Sequence, residues 1–203
     1  MTNTNDIFFD KELRTGGFYE LAIQVCKSAD NIPIRLYSDF FWTQKNVEGP
    51  FDSNKTSIVF DIKNSNHHGI LHLDNFTIPF KTYNIREEEP IETGFYWFDI
   101  CFYTTTIEKV FSLTQQDWTD YPSVPNELKK FFMTTLAKLD KIFPLQLAIL
   151  DFEASGQFYL EDLKTPLTFI YNPPCFFVGQ DNYEHISIEN RKYVTKIEDI
   201  TNE

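Results

Sequence analysis

Four carboxylates interrupt otherwise apolar stretches of this chain: Glu20, Asp99, Asp151 and Glu153. A carboxylate in such a setting is costly to ionise. Two that face one cleft split their titration, one charged and one protonated, as acid–base and glycoside chemistry require. The commoner use of a strand-end acid is to accept a lysine or a backbone N–H. The other dense group is His67, His68, His72 and Asp74, which offers the nitrogen and oxygen donors that zinc or iron takes. His72 and Asp74 are two apart and share a strand face. Tyr159 and Glu161 alternate with Phe158 and Leu160 in the same way, so the polar side of an amphipathic strand accounts for the pattern and no metal is expected. His185 stands in a turn-rich stretch with no nucleophile nearby.

Other chemistries lack their residues. No GxGxxG or GxxxxGK[ST] pattern occurs, so no phosphate cradle or cofactor is expected. No Ser-His-Asp or Cys-His arrangement can be built from spacing, and no catalytic residue is assigned. The three cysteines, Cys26, Cys101 and Cys175, are odd in number, far apart and outside any CxxC pair. They read as reduced thiols with packing roles.

The elements that must position these residues are suggested by a layout that occurs twice. Thr15-Gly-Gly-Phe-Tyr19 opens one apolar stretch and Thr93-Gly-Phe-Tyr96 another, and Trp42-Thr43 and Trp118-Thr119 follow at similar distances. Gly69-x3-Leu73-Asp-Asn-Phe76-x2-Pro79 is matched in spacing by Gly156-x3-Leu160-Glu-Asp-Leu163-x2-Pro166. In the opening strands, period two puts Tyr19, Leu21, Ile23 and Val25 on one face, and Tyr96, Phe98, Ile100 and Phe102 on the other copy's equivalent. The opposite face has diverged: Glu20 against Trp97, Ala22 against Asp99, Gln24 against Cys101.

Helical spacing and caps predict helices over residues 31–43, 104–112 and 126–143, the last ended by Pro144. In the first, Ile32, Leu36 and Phe40 mark the apolar spacing, with Tyr37 and Phe41 beside them. Leu128, Phe131, Phe132, Leu136, Leu139 and Phe143 form the stripe of the last. Trp42 and Trp118 read as anchors of helix on sheet. Extended segments are expected at 56–63, 69–74, 77–85, 145–152, 157–163, 167–171, 176–178 and 186–188, with a loop over 45–54 and a hairpin-type connection over 64–69. The reading is α+β: two tandem, diverged repeats of antiparallel strands with helices packed on one face. Residues 1–16 form a polar lead-in, 17–86 the first repeat and 93–197 the second, with Arg86–Glu92 as the boundary. Periodicity leaves open whether the halves share one sheet or form two lobes.

The 203 residues carry a formal charge of −12, and 17% are aromatic. Such a field repels nucleic-acid phosphates and anionic membranes and favours a basic partner, though it also serves solubility alone. The start lacks the basic and apolar stretches of a signal peptide, so a cytoplasmic location is expected. The acidic run Glu87-Glu88-Glu89, with Asp74, Trp97, Asp99 and Glu161, is the candidate partner-binding set; a solvated linker is the plainer use of such a run.

Gly17-Phe-Tyr-Glu-Leu-Ala-Ile23, a helix ending at Trp42, Trp97-Phe-Asp99 and Leu147-Ala-Ile-Leu-Asp-Phe-Glu-Ala-Ser-Gly156 together resemble a family of uncharacterised bacterial proteins with no assigned activity. The resemblance implies a bacterial cytosolic protein built as one unit and carries over no functional residue. The leading expectation is a non-catalytic interaction protein, most of all an immunity-type inhibitor that binds and neutralises a basic toxin. The alternatives are an enzyme or small-molecule binder with a carboxylate-containing cleft between the repeats, and a structural or assembly component.

Overall fold

The computed structural model describes residues 4–63, 66–87, 94–114, 124–169 and 172–200, with side chains from Asp6 onward. All eight strands found there join one sheet in the order β2-β3-β4-β5-β1-β6-β7-β8. They are β1 Phe18–Lys27, β2 Val47–Phe51, β3 Asn66–Leu73, β4 Phe76–Arg86, β5 Phe95–Tyr103, β6 Leu147–Phe152, β7 Cys175–Val178 and β8 Val194–Lys196. Every pairing is antiparallel except β7 with β8. Six α-helices accompany them among the described residues: α1 Thr4–Phe9, α2 Ile32–Trp42, α3 Thr104–Phe111, α4 Asn126–Ile142, α5 Gln180–Tyr183 and α6 Ile197–Ile200. None of the helices described is long and apolar enough to cross a membrane.

The two opening strands lie side by side at the middle of the sheet. Tyr19 pairs with Phe102, Leu21 with Ile100 and Ile23 with Phe98. Both predicted core faces therefore become one face, and Tyr19, Leu21, Ile23, Val25, Tyr96, Phe98, Ile100 and Phe102 belong to a single core. That core receives Ile34, Tyr37 and Phe41 from α2, Ile107 from α3, and Leu128, Phe132, Leu136 and Leu139 from α4. Strand β6 is apolar on both sides because it is covered on both: Ala148 and Leu150 face the helices, Leu147 and Ile149 the second core.

The opposite face of the sheet is also closed. Over β5, β1, β6, β7 and β8 a second core gathers Ala22, Trp97, Leu147, Ile149, Phe176, Val178 and Val194 beneath Ala154, Leu160, Leu163 and Ile186. At the other end Phe8 packs on Phe51 and Ile70. The cover at 153–169 is built of turns and a 3-10 segment, Asp162–Lys164, not of strands.

Several local expectations change. The stretch 45–54 contains strand β2; Pro50, which lacks an N–H, is tolerated because β2 is the outermost strand and its register with β3 slips between Glu48 and Phe51. Residues 56–63 make only one bridge, Phe51 to Ser57. His67 and His68 lie within β3 and not in a connection. Residues 157–163, 167–169 and 186–188 are irregular, and the edge strand after β7 is Val194–Lys196. On α2 the buried stripe is Ile34, Tyr37 and Phe41, while Ile32 is 63% exposed. Gly69–Pro79 spans the β3–β4 hairpin, whereas Gly156–Pro166 is turn and 3-10 helix, so equal spacing did not produce equal structure. Trp42 does anchor its helix: it stacks on the Phe80 ring at 5.7 Å and 19°. Trp118 lies outside the described residues.

Candidate functional site

Register places the sequence's acids. Glu20 stands opposite Cys101 on β5 and Asp151 on β6, and Asp99 stands opposite Ala22 one pleat along the same face. The turn after β6 closes over them. The Ser155 backbone N–H donates to Glu20 Oε1 at 2.9 Å and the Cys101 thiol donates to Glu20 Oε2 at 3.1 Å. Glu20 is 4% exposed and Asp99 1%. Burial first, and the nearby Glu20 carboxylate second, raise Asp99 well above the ordinary carboxylate range; Cys101 is raised well above the ordinary thiol range by the same two causes. Asp151 is raised by burial, offset in part by the Phe152 N–H that donates to it at 2.8 Å. Glu153 takes φ +47° in the turn and accepts from Phe18 N at 3.1 Å. Glu20, Asp99 and Asp151 thus share one face, but a reactant reaches Glu20 and Asp99 only if the Ser155 turn moves away.

A second polar centre forms where β4 ends. Glu87 Oε1 accepts from Trp97 Nε1 at 2.7 Å and from the Tyr159 hydroxyl at 2.9 Å, and Glu87 Oε2 accepts from Phe95 N at 2.9 Å. These three donors come from the β5 strand and from the cover segment, so one carboxylate ties β4, β5 and the cover together. Hydrogen bonding to Glu87 adds to burial in raising Tyr159 above the ordinary phenol range. Glu161, two residues beyond Tyr159, is exposed and pairs with Lys164 at 2.6 Å.

The candidate partner-binding residues divide accordingly. Glu87 and Trp97 are joined directly, and Glu161 sits in the same cover segment. Asp74 lies apart, exposed in the β3–β4 turn. Trp97 and Asp99 are each 1% exposed and offer no side-chain surface. Glu88 and Glu89 lie outside the described residues. Tyr159 is the member that sequence reasoning missed; the available signal was that a buried tryptophan N–H needs an acceptor, which directs attention to the carboxylates near Trp97.

The histidines disperse. His67 faces the main core against Trp42 and Phe60, His68 faces the other side against Phe8, and His72 Nε2 pairs with Glu48 Oε2 at 3.2 Å. Alternation along β3 separates His67 from His68, and no group of three His, Cys, Asp or Glu among the described residues can hold a metal ion. Burial lowers His67, and burial with Lys81 and Arg14 lowers His68 to about 4.

Fold and site together define a mixed α/β chain whose Glu20 and Asp99 carboxylates are sealed beneath a turn, and in which Glu87 is an anchored glutamate. Comparison with protein-family models, with curated proteins and with solved structures finds no match in any of the three.

Proposed function

We propose that this chain is a non-catalytic protein-interaction protein of immunity type, which binds and neutralises a basic protein toxin. The observation that carries the reading is the anchoring of Glu87. Three hydrogen bonds fix the carboxylate at the head of the sequence Glu87-Glu88-Glu89 against Trp97, Tyr159 and Phe95. The acidic run continues in the sequence from this fixed carboxylate. With Glu161 exposed nearby and a net charge of −12, it steers a basic partner toward that end of the sheet. A cytoplasmic, bacterial setting fits this role.

The same reading treats the halves as diverged copies. Strands β1 and β5 open each half and pair at the centre, while the acidic anchor Glu87 belongs to the boundary segment between them. The sealed Glu20–Asp99 group then serves the fold, which weighs against the cleft enzyme.

Affinity capture from the native host tests the proposal. Wild-type chain is expected to retain one basic protein in stoichiometric amount, and co-expression with that protein is expected to restore growth. A Glu88→Lys, Glu89→Lys, Glu161→Lys variant is expected to lose both. No stoichiometric partner, or rescue that survives the charge reversal, would overturn it.

A further inference from the structure

Helix α4 carries charge of the opposite sign to the rest of the molecule. Lys129, Lys130, Lys138 and Lys141 are exposed along it, and none makes an ion pair among the described residues. These four lysines, with Met133 and Ile200, line a groove of about 580 Å³ whose other described lining residues, Asn126, Thr134 and Ala137, are uncharged. Neither of the helix's own acids lines this groove. Asp140 is half-buried and accepts from Leu145 N at 3.2 Å, and Glu127 lines a neighbouring depression with His72 and Asp74, which Lys130 and Lys138 also border. The groove continues past Lys129 and Met133 into a second one of about 290 Å³ floored by Leu150 and Phe177. The one carboxylate there, Asp199, already stands 3.9 Å from Lys196.

A groove whose described charged residues are all lysines, in a chain of net charge −12, is not an average property of this surface. Four like charges without ion-pair partners among the described residues repel one another, and a ligand that supplies carboxylates relieves that repulsion. The apolar floor selects further. Met133 is an adaptable contact of the kind common at peptide-binding surfaces, and it lies between the charges and not apart from them. Lys130 and Lys138 are separated by about 12 Å along the axis and Lys130 and Lys141 by about 16 Å, from 1.5 Å per residue. That span matches two to three turns of a facing helix. Nucleic acid is disfavoured because the described lining of the four-lysine groove, with Met133 and Ile200, offers bases no ring to stack on.

We infer that the α4 groove is a second docking surface, which takes an acidic amphipathic helix of a protein partner: carboxylates pair with the four lysines and an apolar side chain seats on Met133 and Ile200. It is independent of the Glu87 end and of opposite sign, so the chain can hold a basic and an acidic protein at once.

The test uses the full chain and a fluorescein-labelled 17-residue Glu/Leu/Ala helical peptide, with its Gln/Leu/Ala twin as the control on unaltered protein. Because the net field repels anions, binding of the Glu peptide is informative. Fluorescence anisotropy is expected to show it binding at least about tenfold more tightly than the twin, with loss on raising salt. A Lys129→Gln, Lys130→Gln, Lys138→Gln, Lys141→Gln variant is expected to lose about tenfold or more, and Met133→Gln a smaller factor, since each deletes an exposed contact. Zero-length carbodiimide cross-links are expected at these four lysines. Equal binding of the twin, binding unchanged in the lysine variant, cross-links confined to other lysines, or preference for phosphatidylglycerol vesicles or a DNA duplex over the peptide would each overturn the inference.

Discussion

Burial and the neighbouring Glu20 carboxylate hold Asp99 protonated above the pH at which an exposed aspartate ionises. Its native pKa is raised from 3.8, so the native state binds a proton that the unfolded chain gives up. The stability this contributes is present in full below about 3.9 and is lost as pH rises toward the raised native value. Asp99→Asn is therefore expected to flatten that fall and to stabilise the chain at neutral pH by about 1–2 kcal/mol, read from urea melts at a series of pH values. His67 and His68 act in the opposite sense. Both are lowered from 6.5, His68 to about 4, so their contribution is present above 6.5 and lost as pH falls toward 4. His68→Gln is expected to weaken the acid limb of the same curves and leave the alkaline limb alone. Glu87 offers a further check. Glu87→Ala removes the acceptor of the buried Trp97 N–H and is expected to cost about 1–3 kcal/mol, with a shift in tryptophan emission as the cover loosens.

Trp42 is held at the level of the element by glycine. A Cβ on Gly69 would lie 2.4 Å from Phe80 Cζ and 2.9 Å from Trp42 Cζ3, so the ring sits where any other residue would stand. Gly69→Ala is expected to destabilise by about 1–3 kcal/mol in denaturant titrations through overpacking of this contact. Such contacts explain what the sequence could disclose. The period-two faces of β1 and β5 and the stripe of α4 were legible because each segment carries its own alternation or 3.6-residue period. The pairing of β1 with β5 at the sheet centre was not, because register across long separation leaves no local mark. Strand β2 was hidden by Pro50, Gly49 and Asp52, which read as turn residues until an outer strand makes them harmless. The 153–169 cover was hidden for the converse reason. Its Phe158 and Leu160 alternate like a strand, yet they fill a sheet face and pair with no neighbour. Of the candidate residues, Glu87 was singled out by its charge; its hydrogen bond from Tyr159 left no mark in the sequence, since 72 residues separate them.

At the scale of the molecule, the proposals draw on two features of opposite sign: the anchored Glu87 with exposed Glu161, and the lysines along α4. Neither requires the sheet to open, and Glu20 and Asp99 remain buried at the Ser155 turn. The most direct test of the immunity-type reading is titration of the purified partner into the intact chain by calorimetry at low and high salt. The account predicts one-to-one binding that weakens steeply with salt, through the association rate, and that is lost with Glu88→Lys, Glu89→Lys and Glu161→Lys. Binding that ignores both salt and these substitutions would contradict it.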